Sequence, residues 1–226
     1  KTASIYRLVT EGTVCFLSRP RRFGKSLLVS TLKYYFQGKK ELFQGLAIDS
    51  LEKEWSAYPV FHLDFCGSNY TQPHTLDAVV EETIAGWESQ YGKDPVYTDW
   101  GRRFAYVLKQ AHLQTGRRAV VLIDEYDKPL LDVLGTGYSV PVSGQERLLE
   151  DYHREVLKSF YSVFKMADEH LRFVLLTGVT KFSQISVFSG FNQPADISMD
   201  PRYEQLCGMT EEEVYQYFME PITAMS

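Results

Sequence analysis

Residues 19–26, Arg-Pro-Arg-Arg-Phe-Gly-Lys-Ser, combine the residue types that bind a phosphate chain. They lie between an apolar run, residues 14–17, and a helical pattern that begins at Leu27. At such a strand-to-helix turn, backbone N–H groups and the helix N-terminus hold the anion, the lysine reaches the β- and γ-phosphates, and the serine hydroxyl ligates Mg²⁺. The spacing therefore predicts a phosphate-binding loop in which Lys25 neutralises a triphosphate and Ser26 coordinates Mg²⁺.

One position departs from the usual pattern of such a loop. The pattern has glycine five residues before Gly24, and this chain has Arg19 there. A bulky side chain at the first turn favours the alternative that the octapeptide is a chance match. The strand before it, the helix after it and a second acidic motif favour nucleotide binding. We predict that the nucleotide contacts the following residues: Arg21, Arg22, Phe23, Gly24, Lys25, Ser26 and Leu27.

The second motif is a strand pattern that ends in two carboxylates, Val-Val-Leu-Ile-Asp-Glu at residues 120–125. Such a strand delivers one acid to the Mg²⁺ shell and a second to the attacking water. We assign Asp124 to Mg²⁺, through water, and Glu125 to orienting and polarising the water. The alternative is that residues 124 and 125 are only the solvated start of a loop, which explains one acid more easily than two. For Asp127 and Lys128, one turn on, a salt bridge is favoured over a role in the site.

Composition places the chain among globular proteins and gives it no general affinity for nucleic acid. It has 226 residues, 44% of them apolar and 23% charged, with a net charge of −5. Its 3 cysteines are too few and too scattered for a disulfide framework or a zinc site. No apolar stretch approaches the ~18 residues of a membrane span, and no secretory leader is visible. These features predict a cytoplasmic protein, and the abrupt ends suggest a piece of a longer one.

Apolar strand patterns alternate with helical patterns along the chain, which argues for a parallel sheet with helices on both faces. The predicted strands are residues 13–17, 60–65, 119–123 and 172–177. The predicted helices are residues 1–11, 26–36, 75–87, 99–114, 146–171 and a last helix from 210. Thr75 is the expected cap of its helix, and Thr210 with Glu213 resembles a capping box. Residues 39–57 and 135–144 are predicted loops.

Three separate blocks of the chain resemble one family, the predicted AAA-type ATPases common in anaerobic bacteria. The blocks are FLSRPRRFGKSLLVSTLKYYFQG, VLIDEYDKPL and LLTGVTKFSQISVFSGFNQPADIS. The resemblance implies a P-loop fold of the additional-strand type, in which the fourth predicted strand lies between the P-loop strand and the Asp-Glu strand. It also implies ATP and Mg²⁺ as ligands. Members often carry a restriction-like nuclease domain at the C-terminus, which would make nucleic acid a partner of the whole protein.

The resemblance also suggests roles for residues near the end of the fourth predicted strand. Thr177 would occupy the sensor position and contact the γ-phosphate or the water, although threonine is also simply a good strand former. Lys181 could add a second cation, and Arg21 and Arg22 could bind phosphate or a neighbouring subunit. Arg202 is a weaker candidate for an arginine acting on a neighbour's site. We therefore predict Glu125, Lys25 and Thr177 as the catalytic residues.

The leading functional hypothesis is a Mg²⁺-dependent ATPase that drives or switches an attached effector, such as a nuclease. The alternative is a nucleotide-gated scaffold with negligible hydrolysis. A nuclease within this chain is disfavoured, because no lysine has Asp or Glu two residues before it. We expect residues 1–226 to form a single P-loop ATPase domain in which residues 204–226 begin a truncated lid. No neighbour's arginine is identified, so the isolated segment is expected to be mainly monomeric.

Overall fold

The strands of the protein form a central parallel sheet and a separate hairpin. The computed structural model describes residues 1–180 and 194–225. Within these ranges the strands are β1 (Val14–Ser18), β2 (Val60–Asp64), β3 (Ala119–Asp124), β4 (Ser139–Val142), β5 (Gln145–Leu148), β6 (Leu171–Gly178) and β7 (Ala195–Asp196). The central sheet has the order β2-β3-β6-β1-β7, with every pair parallel. The predicted α/β class with a parallel sheet is confirmed.

The register of the sheet brings the carboxyl ends of its strands to one level. Leu17 of β1 lies beside Thr177 of β6, and Asp64 of β2 lies beside Asp124 of β3. The strand β6 lies between β1 and β3. Because the strands are parallel, the loops that leave their carboxyl ends meet at one edge, where such sheets bind ligands.

Helices cover both faces of the sheet. In the described ranges they are α1 (Thr2–Glu11), α2 (Lys25–Phe36), α3 (Ala47–Leu51), α4 (Thr75–Tyr91), α5 (Trp100–Thr115), α6 (Lys128–Leu131), α7 (Leu149–Tyr161), α8 (Val163–Met166) and α9 (Glu211–Met225). Alternate strand residues point to opposite faces. Val121 and Ile123 pack with α4, α5 and α7, whereas Val120 and Leu122 pack with α1 and α2. No helix of the described chain has both the length and the apolar character to cross a membrane.

The predicted capping signals have different outcomes. Thr210 and Glu213 form the predicted capping box, since the backbone N–H of each donates to the side chain of the other, at 2.9 Å and 3.2 Å. The prediction for Thr75 is wrong. His74 occupies the cap position in a left-handed backbone conformation, φ 63°, and makes no side-chain cap hydrogen bond.

Three segments differ from the sequence prediction. Residues 135–144, a predicted loop, contain β4 of the β4–β5 hairpin, whose Val140 packs against Val133 and Leu149. The helix predicted over 146–171 begins only at Leu149, because β5 uses the preceding residues, and it breaks into α7, α8 and a 3₁₀ turn, Asp168–His170. The predicted loop over 39–57 contains a 3₁₀ turn, Lys40–Phe43, and α3.

Candidate active site

The loop between β1 and α2 has the backbone that an anion-binding turn requires. Arg22 and Gly24 both have left-handed conformations, φ 65° and 83°, and Gly24 caps α2. Lys25 is therefore the first residue of α2, and the free N–H groups of its first turn face the edge of the sheet where β1 ends. No acidic residue lies in that first turn. A helix N-terminus without acidic side chains leaves its positive end available to an external anion.

Lys25 is a buried cation whose partners are neutral. Its side chain is 5% exposed, and Nζ donates to the backbone oxygens of Arg19 and Pro20 at 3.1 Å and 3.2 Å. It forms no ion pair with any residue that the structure describes. A buried charge is costly unless an opposite charge compensates it. The loop therefore presents a desolvated ammonium group to an incoming anion.

Arg19, which replaces the expected glycine, binds the loop to the chain that follows β7. Its guanidinium donates to the backbone oxygen of Ser198, and the N–H of Ser18 donates to the Ser198 hydroxyl at 2.8 Å. The N–H of Arg19 donates to the oxygen of Gly178 at 3.2 Å. Arg19, the first residue of the loop, is thus fixed to the end of β6 and to the chain after β7. The departure from the sequence pattern has a structural role.

Asp124 and Thr177 contact each other at the carboxyl ends of β3 and β6. Both are buried, at 2% and 0% exposure. The Thr177 hydroxyl and the N–H of Glu125 both donate to Oδ1 of Asp124, the latter at 3.1 Å. Oδ2 of Asp124 accepts no hydrogen bond from the described residues. One carboxylate oxygen is therefore fixed, and the other remains available to a ligand.

Glu125 lies directly after Asp124, where the strand turns. Its backbone is left-handed, φ 52°, which breaks the alternation of β3. Its side chain is half-buried and makes no hydrogen bond or ion pair to the described part of the chain. A non-glycine residue in this conformation is strained and needs support from its surroundings. Glu125 is therefore a partly exposed carboxylate at the position where a general base would act.

Two residues at the carboxyl end of β2, Asp64 and Cys66, have no role in the sequence prediction. Asp64 pairs in register with Asp124, and its Oδ1 accepts from the N–H of Cys66 at 2.7 Å. Desolvation and then the charges of Glu125 and Asp64 raise the pKa of the exposed Cys66 thiol. Cys66 therefore lies close to the acidic motif. The rule that ligands bind at strand carboxyl ends, applied to β2, could have found both residues.

The salt bridge predicted for Asp127 and Lys128 is confirmed for Lys128, which pairs with Asp132, Nζ to Oδ2 2.7 Å, and it is wrong for Asp127. Asp127 is 1% exposed and accepts hydrogen bonds from residues that follow β6. The acid therefore joins the carboxyl ends of β3 and β6.

An apolar cavity of about 590 Å³ adjoins the outer side of the phosphate-binding loop. Its wall includes Phe23, Leu27, Tyr34, Leu42, Leu206 and Gly208. The N–H of Gly208 donates to the oxygen of Phe23 at 3.0 Å, which fixes the loop to that wall. Exposed apolar side chains in a concave surface are typical of a ligand pocket.

The remaining predicted cations have different environments. Arg21 and Arg22 are exposed and form no ion pair with described residues. Arg202 is bound by Asp200, Nη2 to Oδ2 2.6 Å, and by Glu11, Nη1 to Oε2 3.3 Å. Lys181 lies outside the described residues. The loop arginines are therefore available to an anion, whereas Arg202 already has acidic partners.

The parallel sheet, the lysine loop after β1 and the acids after β3 define a P-loop-type nucleotide-binding domain. The chain belongs to the AAA-ATPase-like family, whose sequence model carries the description "Predicted AAA-ATPase" and matches residues 1–188. A curated relative is the "Uncharacterized protein in vnfD 5′region" of Azotobacter chroococcum mcd 1. It is 41% identical over 219 residues, which are 96% of this chain and 40% of that protein. No solved structure matches the chain.

Proposed function

We propose that the chain is a Mg²⁺-dependent ATPase module of the additional-strand P-loop type. The observation that carries the proposal is Lys25, a buried ammonium group at the N-terminus of α2 with only carbonyl partners among the described residues. The insertion of β6 between β1 and β3 supports the additional-strand assignment. The family match supports nucleotide chemistry.

Lys25 and the N-terminus of α2 would bind the triphosphate. In this reading the Nζ atom exchanges two backbone carbonyls for β- and γ-phosphate oxygens, which are charged and therefore stronger acceptors. The exposed guanidinium groups of Arg21 and Arg22 would add to the positive field around the phosphates. Together these groups compensate the charge of the phosphate chain.

The residues present fit a magnesium site. Mg²⁺ prefers oxygen ligands, and the Ser26 hydroxyl and Oδ2 of Asp124 make no hydrogen bond to the described residues. Ser26 would coordinate the ion directly and Asp124 through water. When bound, the ion would neutralise charge on the phosphate oxygens. Thr177 would keep the Asp124 carboxylate oriented through the hydroxyl hydrogen bond to Oδ1.

Glu125 would be the general base. Its carboxylate accepts a proton from a water molecule while the water oxygen bonds to the γ-phosphorus and the bond from that phosphorus to the leaving oxygen breaks. Its partial exposure and lack of partners among described residues leave it available to a water molecule. Thr177 would act beside this region through Asp124, because its buried hydroxyl donates to Oδ1 of that carboxylate.

The apolar cavity beside Phe23 and Leu27 would receive the nucleotide base. A ring that enters it would lie against the outer face of α2, next to the residues that hold the phosphates. The proposal predicts that ATP binds more tightly than inorganic tripolyphosphate. Leu27→Ala should weaken ATP binding and leave tripolyphosphate binding unchanged, because it removes apolar surface from the cavity without adding a charge beside the phosphates. Equal affinities for the two ligands in the unmodified protein would place the base elsewhere.

The chain would act as one module of a longer protein. It spans about 40% of the length of the curated relative that it matches. We propose that ATP turnover drives or switches an attached effector, for which a nuclease, and hence nucleic acid, is the candidate from the family resemblance. Residues from about 204 onward, which include α9, would begin a helical lid. The isolated chain would be mainly monomeric and would hydrolyse ATP more slowly than about 1 s⁻¹.

Steady-state phosphate release tests this proposal against the nucleotide-gated scaffold. The protein should release phosphate from ATP only with Mg²⁺, and Glu125→Gln should lower the rate by about 10²-fold or more. Glu169→Gln, which changes an exposed glutamate before the amino end of β6, is the control and should keep the rate. ATP binding without phosphate release would favour the scaffold, and retained turnover in Glu125→Gln would move the base to another residue.

A further inference from the structure

The backbone that leaves β6 is bonded to the phosphate-binding loop. We name residues Gly178, Val179 and Thr180 the coupling segment. The oxygen of Gly178 accepts from the N–H of Arg19 at 3.2 Å, and the oxygen of Val179 accepts from the Ser18 hydroxyl at 2.9 Å. The coupling segment therefore supports the first residues of the loop that holds Lys25.

The same segment is bonded to the turn that carries Glu125. Oδ2 of Asp127 accepts from the N–H of Val179 at 3.0 Å, and from the N–H and hydroxyl of Thr180 at 2.7 Å and 3.0 Å. The Tyr126 hydroxyl donates to the oxygen of Thr180 at 2.8 Å. Asp127 and Tyr126, the two residues that follow Glu125, thus fix the coupling segment from the other side.

Gly178, at the end of β6, is in close contact with the residues that follow β3. A Cβ atom on Gly178 would lie 2.5 Å from the Tyr126 ring and 2.7 Å from Oδ1 of Asp127. Oδ1 is buried and has no hydrogen-bond partner among the described residues. A carboxylate in such a place loses hydration on both oxygens and recovers hydrogen bonds on only one. An apolar side chain in its place would leave the three donors to Oδ2 without that acceptor, so Asp127 holds the coupling segment in its observed position.

We propose that Asp127 is a positioning residue for ATP hydrolysis, acting through the coupling segment on Thr177 and on the backbone turn of Glu125. The inference rests on the proposed function. The N–H of Tyr126 donates to the oxygen of Thr177 at 2.9 Å. Loss of the hydrogen bonds to Asp127 would release Thr177 and Glu125 together. Thr177 is two residues before Val179, and Glu125 is two residues before Asp127.

Nucleotide binding depends less on Asp127 than hydrolysis does. Lys25 is held by its own loop, and Arg19 has a second anchor at Ser198. Asp127→Leu, which removes the acceptor of the hydrogen bonds from the coupling segment, should therefore lower kcat by about tenfold to 10²-fold, the scale of a small misplacement of reacting groups. It should change the Kd for a non-hydrolysable ATP analogue by less than about threefold, because a loss confined to the transition state appears in kcat. A role in stability alone would not separate kcat from Kd.

The control is Asp132→Leu, which makes the same change at the acid that pairs with Lys128. It should keep kcat and Kd within about twofold, as expected for a partly exposed ion pair. Thr180→Val provides a second variant that removes only one donor to Asp127 and keeps the side-chain shape. It should lower kcat by at least about threefold without changing Kd. Melting curves of each variant establish which of them are folded.

The outcomes separate this inference from the proposed function. If the unmodified protein hydrolyses ATP and Asp127→Leu matches its kcat, the positioning role is overturned and the ATPase assignment stands. If Asp127→Leu does not fold, Thr180→Val decides in the same way. A rise in Kd with unchanged kcat also overturns the role. If the unmodified protein releases no phosphate, both proposals fail.

Discussion

The hydrogen bond between Thr177 and Asp124 gives the sharpest stability prediction. Both side chains are buried, and the threonine hydroxyl donates to Oδ1 of the carboxylate. Thr177→Val keeps the β-branched shape, so packing in β6 is conserved, but it replaces the donor with a methyl group. Oδ1 then retains only the N–H of Glu125.

The expected loss is set by the cost of removing one of the two donors to a buried carboxylate oxygen. Removing one partner of a buried polar group costs about 1–3 kcal/mol in the free energy of unfolding. For a domain of about 150–250 residues, each kcal/mol corresponds to about 2–4 °C in Tm. Thr177→Val should therefore lower Tm by about 2–12 °C without nucleotide. It should also slow hydrolysis, because the carboxylate is no longer held.

Thermal melting without nucleotide measures the effect, and Thr177→Ser is the matched control. Serine keeps the hydroxyl and removes one methyl group, so it should retain most of the hydrolysis rate. The reasoning is refuted if Thr177→Val melts at the temperature of the unmodified protein and hydrolyses ATP at the same rate. That result would mean that the hydroxyl neither stabilises nor orients Asp124.

Three further predictions follow from the packing, the charges and the metal site. In a melting assay, ATP with Mg²⁺ should raise Tm, and Asp124→Ala should remove the Mg²⁺-dependent part of the shift. Gly178→Ala should lower Tm through overlap with side chains 2.5–2.7 Å from the new Cβ, whereas Gly86→Ala, within α4 and with no atom within 4 Å, should raise it. Hydrogen bonds from Arg103 lower the pKa of Glu81 from its usual value of 4.5 to about 2. The ionised Glu81 therefore contributes fully to the free energy of unfolding above pH 4.5, and this contribution is lost as the pH falls towards 2. Glu81→Gln should therefore lose less stability than the unmodified protein over that interval, and melting curves from pH 5 to pH 2 measure it.

The fold could be predicted largely from the sequence because its strands are apolar throughout and its helices are amphipathic. The four predicted strands lie within a residue or two of β1, β2, β3 and β6. The hairpin β4–β5 was missed because serine, proline and glycine interrupt β4 and the turn, and its one buried residue, Val140, gives no alternating pattern. The strand β7 has only two residues, too few for any periodicity.

The candidate site was predictable wherever one short motif carries the chemistry, as with Lys25 and Asp124. The role of Arg19 was not predictable, because its partner Ser198 lies 179 residues away in the sequence. Asp127 was misread for the same reason. Its partners Val179 and Thr180 are distant in sequence, whereas Lys128 is adjacent and suggested a local salt bridge. The catalytic and metal-binding roles of the predicted residues stay predictions.

Calorimetric titration with a non-hydrolysable ATP analogue and Mg²⁺ tests the central claim, that Lys25 is the cation of a nucleotide site. The unmodified protein should bind the analogue, and Lys25→Ala should abolish binding or weaken it severely. Lys39→Ala, which removes an exposed lysine beyond the end of α2, should bind as the unmodified protein does. Unchanged affinity in Lys25→Ala, with a melting curve that shows a folded protein, would contradict the account.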